Sequence, residues 1–388
     1  MTETHTSITT EVDSARAGAA LGRAMRDAFR GGAADAVMVF ASARHDYAAL
    51  LEALARESGT RTIVGASSAG EFSERARGEG HVAALAVRSD TMRFAVSFGT
   101  GIGRDAAAAA RQATAGFRGV SNPPLPYRAA LVMTDALAGH ADALLEELTV
   151  LTGGNYSFFG GGAGDDARFS TTHVFAGTAA HSDALVALEI LSSQPLGVGV
   201  AHGWVPAGPP LRVTEASGTR LVSFNGAPAV QAVEEHARAS GQKFDRRDPM
   251  PYFLHNILGI SADDAYRLRV PLAVNEDGSL ALAAEVPQGS LVHIMKTTED
   301  SAVQAARKAT RAALGALGGR RPAAGLVFDC VATRLRLGKK FEDELNACAE
   351  LLSPAGFVGC NTYGQIARAE GQFSGFHNCT AVVCVFPQ

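Results

Sequence analysis

Two stretches in opposite halves of the chain, IVGASSAGEF at residues 63–72 and FVGCNTYGQI at residues 357–366, align without a gap. A related run, Gly160-Gly-Gly-Ala-Gly164 followed by Asp165 and Asp166, is one residue shorter. In each, small residues let backbone amides approach a ligand, because little or no side chain blocks access. Polar groups stand beside them: Ser67, Ser68 and Glu71 in the first, Asp165 in the second, Asn361, Tyr363 and Gln365 in the third. Amides of such turns suit a carboxylate or phosphate, and the acids suit an ammonium group. Together with Gly65, Gly70 and Gly160, these residues are the candidate ligand site. Glycines at such places also permit tight strand exits and close sheet packing, so an architectural role competes with the binding role. The matching polar residues in both halves favour a site.

Further candidates come from the last third of the chain. Alternation over Phe376–Phe386 puts His377 and Cys379 on one face of a strand and Asn378 and Thr380 on the other. A polar pair on a mostly apolar face needs a partner, either a neighbouring backbone or a ligand, which adds Asn378. Cys330 and Arg334 lie just after an apolar strand, the usual position for site residues in open α/β sheets. The planar fork of Arg334 can hold a ligand carboxylate. Were haem to bind, His202, beside the single tryptophan, and His377, on the apolar last strand, are the best placed axial ligands.

Several enzyme signatures fail. Ala66-Ser-Ser68-Ala-Gly70 imitates a nucleophile elbow, but the charged, glycine-broken Glu71–Gly80 segment follows instead of a helix. Gly160–Gly164 lacks the Lys-Ser/Thr of a P-loop. No H-x-x-x-H, H-E-x-x-H or D-x-D-x-D-G pattern exists, so no dedicated metal site is expected. All five cysteines fall after residue 329 without CxxC spacing, which argues against a disulfide framework or a structural zinc. Buried structural thiols are the default reading of them.

The elements that must position these residues recur in one order. A short apolar strand (Ala36–Ser42), an amphipathic helix, a strand (Thr62–Gly65) and the first glycine turn lead to another strand at Val82–Val87. The order returns at Ala130–Asp135, Ala141–Leu151 and Tyr156–Phe159, and again at Gly325–Cys330, the Phe341–Leu352 helix and Gly356–Gly359. The fold class is therefore mixed α/β, with two lobes of repeated strand–helix–strand–Gly turn–strand units and mixed sheets. Between the second and third copies, Leu211–Val222 and Leu268–Met295 read as antiparallel strands turning at Asn275–Gly278 and Pro287–Gly289. Thr297 and Asp300 are placed to cap the Ala-rich helix that follows. Residues 1–33 form an N-terminal segment with one helix, 34–226 a first domain and 227–388 a second, the junction near residues 225–250.

A chain of 388 residues with 47% hydrophobic and 19% charged residues is a folded protein of two domains. Its formal net charge of −4 gives no basic surface for nucleic acid. The polar first fifteen residues do not resemble a signal peptide, and no uninterrupted apolar run is long enough to span a membrane. A reduced, cytoplasmic protein is expected.

At these residues the chain resembles the FIST family of bacterial sensory proteins. The resemblance rests on VMVFAS, IVGASSAGEF, ALVMTDALAG, FFGGGAGD, LGVGVAHGW, RVTEASG and GAPAV, then LVFDCVATR, FVGCNTYGQI and HNCT, in the family's order. Gln365 replaces the family's more usual Glu, and Thr333 precedes Arg334 where small residues are more usual. The resemblance implies a FIST N-terminal and a FIST C-terminal domain that bind a small molecule of the amino acid-like kind, without a cofactor. It further implies a free-standing chain signalling through a partner such as a kinase or a cyclic-dinucleotide enzyme. The alternative it carries is a haem-binding nitric-oxide sensor. A third reading, acyl transfer or hydrolysis through Ser68, Cys360 or Cys379, rests on no motif.

Overall fold

A computed structural model describes residues 1–388 except Asn122, Asp263, Asp264 and residues 370–373. The first unit runs β1 (Thr2–Thr9), α1 (Ser14–Ala28), β2 (Ala36–Ser42), α2 (Tyr47–Ser58), β3 (Ile63–Ser68), β4 (Glu71–Ser73), β5 (Arg77–Gly78) and β6 (Val82–Ser89). The second repeats that order as β7 (Met92–Thr100), α3 (Ala106–Thr114), β8 (Tyr127–Thr134), α4 (Ala141–Leu151), β9 (Ser157–Gly162), β10 (Val174–Ala176), β11 (Ala179–His181) and β12 (Ala184–Ser192). The third opens with β13 (Gly197–Ala201) and is then interrupted by an inserted module. The module holds β14 (Val205–Pro206), β15 (Leu211–Ser217), β16 (Arg220–Phe224), β17 (Ala227–Pro228), α5 (Ala229–Ser240) and α6 (Met250–Phe253). It continues through β18 (Ile257–Ala262), β19 (Ala265–Arg269), β20 (Pro271–Val274), β21 (Leu280–Leu282) and β22 (Leu291–Lys296). The third unit resumes with α7 (Glu299–Ala316), β23 (Pro322–Cys330), α8 (Val331–Leu337), α9 (Phe341–Leu352), β24 (Gly356–Thr362), β25 (Gln365–Arg368), β26 (Gly375–His377) and β27 (Ala381–Pro387).

The mixed α/β class is as expected, and the expected pair of lobes resolves into three matching sheets plus the module. Their strand orders are β1-β6-β2-β3-β10-β11, β7-β12-β8-β9-β25-β26 and β13-β27-β23-β24-β4-β5. In each, the central pair is parallel and joined by a crossover helix (β2/β3, β8/β9, β23/β24), and its other pairings are antiparallel. The strand pair after each glycine turn leaves its own sheet: β4/β5 completes the third sheet, β10/β11 the first and β25/β26 the second. The exchange is cyclic, so no unit completes its sheet alone.

Central strands buried on both faces explain the unbroken apolar runs. In β2, Met38 and Phe40 enter a core shared by all three sheets, with Leu131, Met133, Leu326 and Phe328. Val37 and Val39 face the other way, onto the packed pair α1/α2; Val132 and Val327 do the same beneath α3/α4 and α7/α9. Period-2 alternation thus divides one apolar run between two cores.

Two local expectations change. The Phe376–Phe386 strand is two strands, because residues 378–380 link β26 to β27 and Cys379 takes a left-handed φ of 49°, which ends the alternation. The cap of α7 is one residue later than expected: Thr298 accepts from the Ser301 amide at 3.1 Å, and Ser301 answers in a capping box. The stretch 225–250 carries β17 and α5 of the module, whose own core includes Val213, Phe224, Val233, Phe253 and Ile294.

Candidate functional site

The three glycine turns meet and close a ring of backbone hydrogen bonds. Ala69 N–H donates to the Asn361 carbonyl at 2.9 Å, and Asn361 N–H returns to Gly70 at 2.8 Å. Gly162 N–H donates to Gly364 at 2.9 Å, and Tyr363 N–H to Gly162 at 3.0 Å. Gly164 N–H donates to Ser67 at 2.8 Å, and Asp166 N–H to Ser68 at 3.0 Å. Each turn is bonded to both others, so these amides serve the closure rather than an open anion cradle.

Gly65, Gly160 and Gly359 hold matching positions in β3, β9 and β24, opposite Val39, Val132 and Val327. A Cβ at these glycines would lie 1.7, 2.1 and 1.9 Å from the carbonyl oxygen of the facing valine. No side chain fits there, so the architectural reading accounts for these three glycines.

The polar candidates gather around the ring, mostly paired with one another. The Ser67 hydroxyl accepts from His173 N–H at 2.9 Å. The Ser68 hydroxyl donates to Glu71, whose second oxygen accepts from His81 N–H at 3.0 Å. Glu71 is 1% exposed, and burial pushes its carboxyl up to about 8 despite those hydrogen bonds. Asp165 accepts from the Tyr363 hydroxyl and from the amides of Phe169, Ser170 and Thr171. Burial works to raise its carboxyl, but these donors outweigh it and hold it below the usual value. Gln365 bridges Thr362 at 2.9 Å and the Thr380 amide at 3.3 Å. Arg334 pairs with Glu79, and the buried Asn361 amide nitrogen has no partner among the described residues.

A cleft of about 450 Å³ opens where the module meets the three-sheet scaffold. The module contributes Met250, Leu254, Val270, Leu272 and Ala283; the scaffold contributes Leu137, Phe169, Cys330, Val331, Ala332, Leu335, Tyr363 and Asn378. Tyr363 stacks on Phe169 with ring centroids 4.4 Å apart, and that pair forms one wall. Asn378 accepts from the Val270 amide at 3.2 Å and is the cleft's one side-chain amide. Of the sequence candidates, Cys330, Tyr363 and Asn378 border this cleft. Ser67, Ser68, Gly70, Glu71, Asp165, Arg334 and Asn361 cluster at the ring, and Gln365 is buried behind it. Helix α8 separates the two places, with Val331, Ala332 and Leu335 lining the cleft while Arg334 approaches Gly70.

Behind α8 lies a group that sequence reasoning did not assemble. Cys330 and Cys379 join Trp204, Ala332 and Met295 in one apolar cluster. A hydrogen bond from the Cys379 thiol lowers the Cys330 thiol to about 6 against its burial, with the Cys379 and Ala332 amides and Gln365 adding to it. Cys379 is raised in turn by its bond to Cys330 and by burial. Asp329 and Glu344 are both buried, and burial raises both carboxyls. The only signal for this group was the place of Cys330 at the end of an apolar strand.

The haem alternative fits poorly. His202 has both ring nitrogens engaged: Nε2 donates to the Tyr266 carbonyl at 3.1 Å, and Nδ1 accepts from Trp204 N–H at 3.2 Å. His377 is wholly buried on β26, and no histidine lines the cleft among the described residues. No cluster of three or more metal-ligating side chains occurs among the described residues, and no described helix is long and apolar enough to cross a membrane.

No curated protein matches the chain. The FIST N domain family model matches residues 35–227 and the FIST C domain model residues 229–368. Nearly the whole chain is covered in that order, and the chain belongs to the FIST family of sensory signal-transduction domains.

Proposed function

We propose that this chain is a small-ligand sensory protein whose ligand occupies the cleft between the module and the three-sheet scaffold. The observation that carries the reading is the cleft itself: its volume is in the range of small-molecule sites, and its walls come from both parts of the protein. A ligand touching Val270 and Leu272 on one side and Ala332 and Leu335 on the other would bias the module's position against the scaffold. Differential contact of that kind is what a sensor needs to shift a population. Binding rather than catalysis is also favoured at the ring, where Ser68 is held by Glu71 and burial raises Cys360 well above the usual thiol value.

The lining favours an apolar molecule with one polar end, met by Asn378, over a free amino acid. A zwitterion would bring two charges against walls that carry no counter-charge, at a cost of several kcal/mol in order of magnitude. We further propose a cytoplasmic location, which suits five unpaired thiols, and an output through a downstream signalling protein such as a kinase or a cyclic-dinucleotide enzyme.

Titration with the uncharged fluorophore N-phenyl-1-naphthylamine tests the cleft. One site per chain is expected, with affinity weakened about tenfold or more in Ala283→Trp, a loss of about 1.4 kcal/mol. Equal affinity in the folded Ala283→Trp protein would sink the assignment.

A further inference from the structure

We propose that Cys330 and Cys379 form an oxidisable dithiol, which reduces an organic hydroperoxide entering through the apolar cleft and ends as a disulfide. This goes beyond ligand sensing, since it assigns a covalent redox step to two residues outside the glycine ring. Three independent features of the geometry point to it.

The first is proximity. Cys330 closes β23 and Cys379 sits in the link between β26 and β27, yet both belong to one apolar cluster. Two cysteines gathered in this way can bond where their Cα atoms come within about 7 Å, closing to an S–S length of about 2.05 Å. The second is access. Cys330 is a wall residue of the 450 Å³ cleft, whereas Cys379 lines a smaller pocket on the far side with Asp329, Arg336 and Glu344. One cysteine therefore borders the cleft and the other borders the smaller pocket. The third is strain. Cys379 holds a φ of 49°, a conformation rare for a side-chain-bearing residue and enriched at functional sites.

The electronic asymmetry suits the two roles. Cys330 receives hydrogen bonds that favour its thiolate, and Cys379 stays protonated beside it. Burial holds Cys348, Cys360 and Cys384 above the ordinary thiol value, so they are poor nucleophiles. In the first step the Cys330 thiolate attacks the terminal peroxide oxygen. The O–O bond breaks, and the alkoxide takes the proton that Cys330 gave up and leaves as an alcohol. Cys330 is then a sulfenic acid. In the second step the Cys379 sulfur attacks the Cys330 sulfur, and hydroxide departs with the Cys379 proton as water. Two thiols and one hydroperoxide become a disulfide, an alcohol and water. The apolar walls select an organic hydroperoxide over hydrogen peroxide, because a hydrocarbon group gains by burial there.

The test exposes the reduced full-length protein to one equivalent of cumene hydroperoxide and maps its peptides by mass spectrometry. The expected product is a Cys330–Cys379 cross-linked peptide lacking two hydrogens, with Cys348, Cys360 and Cys384 still reduced. In Cys379→Ser the reaction should stop at Cys330 sulfenic acid, trapped by dimedone, while Cys384→Ser should behave as wild type. Cumene hydroperoxide should react about tenfold or more faster than hydrogen peroxide, as an apolar pocket discriminates. Wild-type protein with both cysteines still reduced, or cross-linked through other cysteines, would overturn the proposal, and this result needs no variant to fold. Equal rates with the two peroxides would overturn the cleft as the route. Fluorophore binding to untreated protein is read separately, so failure of either assignment is distinguishable from failure of the other.

Discussion

Arg269 Nη2 donates to Asp142 Oδ2 at 2.6 Å, tying β19 of the inserted module to α4 of the second unit. The Arg269 side chain is 1% exposed, and its remaining N–H groups go to the carbonyls of Leu268, Glu285 and Phe376 at 2.9, 2.7 and 3.0 Å. Asp142 and the Phe376 carbonyl thus fix the module over the cleft, while the Leu268 and Glu285 carbonyls hold the guanidinium within the module. A guanidinium does this because its donors are rigidly splayed, which an ammonium cannot imitate.

Replacing Arg269 by Ala should therefore cost about 1–3 kcal/mol, the usual penalty for leaving buried hydrogen-bond acceptors without a partner, since Asp142 keeps Arg267. Lys at the same position should recover little. Urea denaturation measures both; a loss below about 1 kcal/mol in either variant would show that the module is held elsewhere.

Two glycine variants separate steric need from mere composition. At Gly359 a Cβ would meet the Val327 carbonyl at 1.9 Å and Phe72 at 2.4 Å, so Gly359→Ala should destabilise by about 3 kcal/mol or prevent folding. Gly315, exposed in α7 with open space at its Cβ position, should gain about 0.5–1 kcal/mol on substitution by Ala. Denaturation midpoints that move together in both variants would reject the distinction.

Much of this fold is written locally, and its closure is not. VMVFAS, ALVM and GLVF read as strands because each is buried on both faces, and the helices between them carry clear apolar faces. What no local pattern announces is that β4, β10 and β25 each join another unit's sheet, because such pairings depend on chain segments far apart in sequence. The glycine turns were visible as a repeat, but residue type alone does not reveal that their amides bond to each other. Arg269 was hidden for a related reason. In AYRLR an arginine alternates with apolar residues as an exposed one would, and its burial rests on Asp142 and the Phe376 carbonyl, 127 and 107 residues away. Cys379 is an apolar residue near the start of an apolar stretch, so its left-handed backbone left no trace in composition.

The ionisation of Cys330 gives a third prediction. Its thiol, lowered to about 6 chiefly by the Cys379 hydrogen bond, should label with N-phenylmaleimide at a rate that is flat above pH 7 and falls about tenfold by pH 5. In Cys379→Ala the midpoint should rise towards that of an ordinary thiol. Peptide-level mass spectrometry reads each cysteine separately. A Cys330 profile that still climbs between pH 8 and pH 9 would show that the thiol is not activated.

Glu71 makes the stability of the ring depend on pH in a defined direction. Its ordinary value is 4.5, and burial raises it to about 8 in the fold, with the Ser68 and His81 hydrogen bonds opposing that rise only in part. The unfolded chain releases this proton near pH 4.5, whereas the folded protein keeps it to about pH 8. Its contribution is therefore fully present below the unfolded value and is lost as pH rises through the folded one. At about 1.4 kcal/mol for each pH unit between the two values, the loss is a few kcal/mol in order of magnitude. Glu71→Gln keeps the shape and the Ser68 contact but has no proton to lose. Its stability relative to wild type, measured by urea denaturation, should rise steadily between pH 5 and pH 8 and level off above about pH 8. A difference that stays constant across that range would show that Glu71 is already ionised in the folded protein, held by Arg334 and the ring amides.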